Sequence, residues 1–262
     1  MSVKYQKLLS VLHEIESAVL AFSGGVDSTF LLKAIKESGI SALAVTAYSE
    51  TMPAAELENA AAMAKAIAVA HKVIATDELS NPEFTRNPRN RCFHCKDELF
   101  SRLTVIARSE GLRFVIDGSN YDDLSDDRPG RQAAAKHGVR SPLLEVGLSK
   151  DEIRAFSREM GLPTWSKAAS PCLSSRFPYG VMITKEALKR VEHAEAFLKG
   201  LGFGDLRVRS HNDMAKIEVE VRELPRFLDR QIREDVVLQL KALGFKHVSI
   251  DLEGFRSGKL NE

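Results

Sequence analysis

Six consecutive residues, Ser23-Gly24-Gly25-Val26-Asp27-Ser28, have the types and order needed to hold a phosphate. The two glycines permit a tight turn and close approach of backbone to anion, and the hydroxyls add donors. Free amides at the start of the next helix favour negative charge. Asp27 is the informative member, because a carboxylate beside phosphates repels them unless a divalent cation lies between. The loop therefore points to a magnesium nucleotide. It has neither the lysine of a Walker A loop nor the spacing of a G-x-G-x-x-G dinucleotide turn. A lone Gly-Gly would suit an ordinary capped strand-to-helix turn, and the full hexapeptide argues against that alternative.

The second chemical feature is sulfur. Cys92 and Cys95 form C-x-x-C, and Cys172 stands alone much later. Such spacing serves redox pairs, zinc sites and iron–sulfur ligation alike. Zinc would call for a fourth ligand, for which His94, His71 and His137 are loose candidates. Three thiolates without a fourth protein ligand also suit a cubane with one open iron. Three unrelated small apolar residues are the plain alternative.

These residues are carried by a regular alternation of elements. The apolar run Ala18-Val19-Leu20-Ala21-Phe22 reads as the first strand, after an amphipathic helix over 3–16. A helix follows Ser28 as far as Gly39, and strands are expected at 42–47, 71–76 and 113–117 with helices over 53–68 and 92–109. Strands alternating with helices predict an α/β fold with a doubly wound parallel sheet. Ligands of such sheets lie beyond the carboxyl ends of the strands, which is where Ser23–Ser28, Ser49 and Gly118 fall. A polar loop is expected over 122–138, whose Arg128 and Arg131 make it either a solvated connection or a lid over an anion. Ser149-Lys150-Asp151-Glu152 opens a further helix with capping-box chemistry.

The alternation stops at the Ser- and Pro-rich stretch from Trp165 to Gly180, so a domain boundary is expected between residues 170 and 171. Beyond it, helices over 184–200 and 224–243 with strands near 206–209, 216–220 and 248–252 predict a smaller α+β domain over 171–262. The 37 basic and 36 acidic residues leave a net charge of +1, which argues against a nucleic-acid or anionic membrane partner. No apolar run suggests a signal peptide or a membrane span, so a cytoplasmic location is expected. An odd count of three cysteines argues against a disulfide framework.

S-G-G-x-D-S after a first strand resembles the signature of the PP-loop ATP pyrophosphatases, which cleave ATP between its α and β phosphates and adenylate an oxygen of the substrate. Three further stretches resemble one family within that group, the LarE family of ATP-dependent sulfur transferases. They are Ser170-Pro171-Cys172-Leu173-Ser174-Ser175-Arg176-Phe177-Pro178-Tyr179-Gly180, Arg207-Val208-Arg209-Ser210-His211-Asn212-Asp213 and Leu252-Glu253-Gly254-Phe255-Arg256-Ser257-Gly258. With the phosphate loop they cover nearly the whole chain.

The resemblance implies synthesis of a nickel-pincer nucleotide. Carboxylates of pyridinium-3,5-biscarboxylic acid mononucleotide are activated with AMP from ATP and converted to thiocarboxylates. It implies ATP and Mg2+ as cofactors, held by Ser23, Gly24, Gly25, Asp27, Ser28, Ser49 and Gly118. It also implies a small nucleotide as partner and a homo-oligomer as the assembly. Asp27 and Cys172 become the catalytic candidates. In the family's best-known form the cysteine matching Cys172 surrenders its own sulfur and becomes dehydroalanine. This chain departs from that form by also carrying Cys92 and Cys95, as do relatives in which a three-cysteine 4Fe-4S cluster supplies the sulfur. Arg207 and Arg209, two apart on a strand, share a face and with Arg176 suit the mononucleotide phosphate. Glu195 matches an acidic position tied to substrate or metal. Two other readings stay open: a PP-loop tRNA thiolase, which would need a broad basic surface, and an ammonia-dependent amide ligase of the NAD or GMP synthetase type.

Overall fold

The computed structural model describes residues 3–124, 129–168 and 171–256. The chain groups into two compact units, one of residues 1–78 and 90–170, the other of residues 79–89 and 171–262. The short segment Leu79–Arg89 thus belongs with the C-terminal part of the chain.

In chain order the elements are α1 (Val3–Ile15), β1 (Ser17–Ala21), α2 (Val26–Ser38), β2 (Ser41–Tyr48), α3 (Ala54–Ile67), β3 (Ala70–Ala75), α4 (Pro82–Thr85), α5 (Arg91–Ser109) and β4 (Phe114–Ile116). They continue with α6 (Pro129–Lys136), α7 (Pro142–Glu145), α8 (Lys150–Glu159), α9 (Lys185–Gly200), β5 (Leu206–His211), β6 (Met214–Val219), α10 (Arg230–Ala242) and β7 (His247–Ile250).

The first unit is built on a parallel sheet in the order β3-β2-β1-β4. Its central strand β1 buries Ala18, Val19 and Leu20 in succession, as expected of a parallel strand covered on both faces. On one face Leu20 joins Phe30, Leu31 and Ile35 of α2 and Tyr5, Leu8 and Leu12 of α1. On the other, Val19 packs with Phe100 and Leu103 of α5 and Ala133 of α6. Each fully buried Leu or Phe contributes about 1.5–3 kcal/mol. From β1 the chain winds outward through β2 and β3, then returns to lay β4 on the other side of β1. The loops after β1 and β4 therefore emerge side by side at the carboxyl ends of these strands, where ligands of such sheets bind.

Two sequence expectations need correction. The stretch 122–138, expected as a loop, contains helix α6. Pro129 starts it, and Gln132-Ala133-Ala134-Ala135 are helix formers whose Ala133 and Ala134 are buried with the core residues of α5. Tertiary burial outweighed the polar flanks that suggested a loop. Asp126, Asp127 and Arg128 of that stretch lie outside the described residues, as do Ser170 and, in the last family-like stretch, Ser257 and Gly258. The helix expected over 224–243 is divided: Val221–Leu228 is a 3-10 helix, and α10 begins after it. Pro225 cannot donate to an α ladder, and Asp229 starts the new helix by accepting from the Ile232 amide at 2.9 Å.

The second unit carries the sheet β5-β6-β7, in which β5 and β6 are antiparallel and β6 and β7 parallel. Helix α9, capped by Thr184, packs on β5 and buries Leu188, Val191 and Leu198.

Candidate active site

In the first unit the loop after β1 is shaped by backbone limits. Gly24 has φ +67°, and a Cβ there would lie 2.8 Å from the Ala60 Cα of α3. No side chain caps Gly25 at the start of α2, so the amides that open this helix face the crevice uncapped. Ser23 Oγ lies 3.2 Å from Ser28 Oγ and accepts from the Gly25 amide at 3.4 Å, which folds the loop on itself. Gly118, after β4, lies so close to α2 that a Cβ would stand 3.1 Å from the Ser28 nitrogen. Both glycine positions are therefore demanded by close approach of backbone.

These loops border a cleft of about 390 Å³. Ser23, Gly25, Asp27 and Ser28 form one end, with Asp117, Gly118 and Ser119 beside them. Phe22, Val45, Ala47, Met52 and Leu99 give an apolar wall broad enough for a planar base, and Lys96 and Arg131 add positive charge. The arrangement suits a polyphosphate at the α2 N-terminus with an aromatic ring beside it. Ser49 is not among the lining residues. It is buried, its hydroxyl 2.9 Å from that of Thr51, and it closes the turn after β2.

Asp27 offers oxygen donors suited to magnesium, and Asp123 lines the same cleft. Its own neighbours are Lys150 Nζ, 2.5 Å from Oδ2, and Asn120 Nδ2, which donates to Oδ1 at 3.4 Å. Lys167 donates to the Gly24 carbonyl at 3.3 Å and to Glu56 at 2.7 Å, tying down the same loop. Lys96, Lys150 and Lys167 were not identified in the sequence. The capping-box tetrapeptide that contains Lys150 signals a helix start and carries no hint of the carboxylate it reaches.

Cys92 and Cys95 occupy the first turn of α5, three apart and hence on neighbouring positions of one helix face. None of the three cysteines is in a disulfide, and Cys92 and, in the second unit, Cys172 are exposed. Cys95 Sγ donates to Glu78 Oε1 at 3.7 Å. Glu78 is 5% exposed, and its Oε2 has no hydrogen-bond partner among the described residues. Two of the loose histidine candidates are engaged elsewhere: His71 with Thr46 at 2.8 Å and His137 with Asp97 at 2.7 Å. Among the described residues no group of three or more His, Cys, Asp or Glu side chains gathers as metal ligands. Thiols three apart on one helix face, as Cys92 and Cys95 are, have the donor chemistry that iron–sulfur ligation uses.

In the second unit Arg176 and Glu195 form a bidentate pair, Nε to Oε1 at 2.8 Å and Nη2 to Oε2 at 2.9 Å. Their side chains are 2% and 6% exposed. Nη1 of Arg176 also donates to the carbonyls of Pro171 and Cys172, at 2.8 and 3.1 Å, and to Ser175 Oγ at 2.9 Å. The guanidinium thus holds the backbone of Cys172 in place. Arg209 pairs with Glu218 of β6 through Nε and Nη2, each at 3.0 Å, and donates to the Ser175 carbonyl at 2.7 Å. Arg207, 4.8 Å over the Phe255 ring, is pushed below the usual arginine range by burial and then by the charge of Arg176. The structure brings Arg176, Glu195, Arg207 and Arg209 to one place, with Glu218 as a member that sequence reading missed.

A crevice at the β1–β4 switch point with an S-G-G-x-D-S loop defines the class of PP-loop ATP-using enzymes. The family profile described as queuosine biosynthesis protein QueC matches residues 17–87. The chain is 38% identical to pyridinium-3,5-bisthiocarboxylic acid mononucleotide synthase of Lactiplantibacillus plantarum, over 100% of this chain and 95% of that protein. It is 46% identical to an uncharacterized protein of Synechocystis over 98% of this chain and 97% of the relative. An uncharacterized Methanocaldococcus jannaschii protein is 31% identical over 97% of each chain. Similarity to a probable tRNA sulfurtransferase of Methanobrevibacter smithii is 26% and covers 37% of this chain. The chain belongs to the LarE-type family of pyridinium-3,5-bisthiocarboxylic acid mononucleotide synthases.

Proposed function

We propose that this protein is an ATP-dependent sulfur transferase that converts carboxylates of pyridinium-3,5-biscarboxylic acid mononucleotide to thiocarboxylates during nickel-pincer nucleotide synthesis. The observation that carries this reading is the full-length similarity to a synthase named for the bisthiocarboxylic product. In the first step a substrate carboxylate oxygen attacks the α phosphorus of ATP, the bond to the β phosphate breaks, and pyrophosphate leaves. Ser23, the open amides at the start of α2 and Ser28 line the end of the cleft suited to the departing phosphates, and Asp27 would hold Mg2+, which would supply positive charge to them. Lys96 and Arg131 add charge to the cleft. A sulfur nucleophile then attacks the activated carbonyl carbon and expels AMP, a far better leaving group than the original oxygen.

Cys92, Cys95 and Cys172 would hold a 4Fe-4S cluster, which when bound supplies the sulfur. Residues 1–170 form the adenylating part in this reading, and residues 171–262 the part that presents Cys172. Arg207 and Arg209 bind the mononucleotide phosphate, and Arg176 with Glu195 shapes their surroundings. The same reading makes the enzyme a cytoplasmic homo-oligomer. Against a tRNA thiolase stands the near-neutral charge of the chain.

The test begins with iron and acid-labile sulfide in protein prepared without oxygen, for which about four of each per chain are expected. Incubation with MgATP, sulfide and the biscarboxylic mononucleotide should yield AMP, pyrophosphate and repeated turnover to thiocarboxylate, with the mass of Cys172 intact. Conversion of Cys172 to dehydroalanine after one turnover would overturn the cluster. Cys172→Ala should retain ATP–pyrophosphate exchange and lose product.

A further inference from the structure

The stretch Leu252-Glu253-Gly254-Phe255-Arg256 follows the last strand of the second unit, and its path is set by backbone bonds. The Asp251 amide donates to the Ile217 carbonyl at 2.9 Å, and its carboxylate pairs with Lys216 at 2.9 Å. The Gly254 amide turns back to the Asp251 carbonyl at 3.1 Å, and the Phe255 amide donates to the Val219 carbonyl at 2.8 Å, at the end of β6. Only glycine fits this turn. Gly254 has φ +72°, and a Cβ there would stand 2.8 Å from the Val219 oxygen and 2.9 Å from Val221 Cγ2. Leu252 is 85% exposed, so backbone bonds and one ring, not general apolar burial, seat the segment.

Strand register delivers that ring to an arginine. Leu206 pairs with Val219 and Arg207 with Glu218, so a residue tied to Val219 stands beside the start of β5. The Arg207 guanidinium lies 4.8 Å from the centroid of the Phe255 ring, and its Nη1 donates to the Leu206 carbonyl at 2.6 Å. Ring and carbonyl together fix the plane of the guanidinium. The setting disfavours a cation, first through burial and then through the charge of Arg176, with Arg209 adding to it against the attraction of Glu195 and Asp205. An aromatic face attracts a cation most where water is excluded, and Arg207 is only 9% exposed. We infer that Phe255 is a positioning residue for Arg207: the segment after β7 presents its ring as a platform that holds this guanidinium in the orientation that takes the mononucleotide phosphate. This rests on the phosphate role proposed for Arg207 and adds to it a residue that touches no substrate.

The experiment measures binding of pyridinium-3,5-biscarboxylic acid mononucleotide to the full-length protein by calorimetry, beside that of the corresponding nucleoside, which lacks the phosphate. Phe255→Leu should weaken mononucleotide binding about tenfold and leave nucleoside binding unchanged. Gly254→Ala, which displaces the ring, should do the same, and Phe255→Tyr should keep wild-type affinity. Phenylalanines with one, two and three ring fluorines at position 255 drain the negative face at nearly constant size. Mononucleotide affinity should fall stepwise along that series, which decides the matter even if Phe255→Leu does not fold. Affinity that stays flat across the fluorinated series overturns the inference, as do equal losses for mononucleotide and nucleoside in Phe255→Leu. Arg207→Leu reports separately on the underlying reading. Loss of mononucleotide affinity there, with the Phe255 variants unaffected, removes the platform alone. Undiminished affinity in Arg207→Leu, or a wild type that binds nucleoside and mononucleotide equally, removes the phosphate role as well.

Discussion

Replacing Arg176 with Met should be among the costliest single changes in the second unit. The guanidinium makes two charge-assisted bonds to Glu195 and three more to Pro171, Cys172 and Ser175, with only 2% of the side chain exposed. Without it Glu195 keeps the Val208 amide as a donor at 3.0 Å but loses its bidentate partner, leaving only the more distant charge of Arg207 to offset a buried carboxylate. Removal of one member of such a pair costs about 3–5 kcal/mol. Glu195→Leu alone should cost a comparable amount. The double variant should be less destabilised than the sum by about 2 kcal/mol, because no uncompensated charge remains. Urea unfolding followed by circular dichroism gives the three free energies, and alkylation of Cys172 read by mass spectrometry should accelerate in Arg176→Met as its backbone loosens. A single-variant cost below about 1 kcal/mol, or additivity within about 0.5 kcal/mol, would refute the view of Arg176 as a buried clamp.

Gly24→Ala places a residue at φ +67° with its Cβ 2.8 Å from Ala60 Cα, which should cost more than the ~1–2 kcal/mol of a left-handed residue alone and abolish ATP binding. Wild-type nucleotide affinity in that variant would show that the loop tolerates another path. His71 gives a pH prediction. Burial holds its imidazole below the ordinary value of 6.5, so the unfolded chain takes up the proton first as pH falls. Stability is complete above about pH 6.5 and declines through the window between that value and the folded pKa. The melting temperature should thus fall as pH is lowered below about 6.5, and His71→Gln should flatten the decline. An unaltered slope would remove His71 as its source.

Much of the first unit was legible because its signals are local. The unbroken apolar run of β1, the two glycines after it and the capping-box tetrapeptide each act within a few residues of themselves. The elements misread were those decided by distant partners: α6 is helical because Ala133 and Ala134 meet the core of α5, and the helix expected to begin at 224 gave way to Pro225 and the Asp229 cap. For the site, nothing local to Arg176 in the sequence showed that its charge meets Glu195, nineteen positions on.

The sequence by itself therefore determined the phosphate loop and the parallel α/β unit around it, since glycine conformation and hydrophobic period are properties of short stretches. Tertiary structure alone decided which charges face one another. Lys150 reaches Asp27 across 123 positions and Lys167 reaches Glu56 across 111, and no periodicity encodes either meeting. Pairing of charges depends on where the sheet brings the loops, and that is settled only when the core closes.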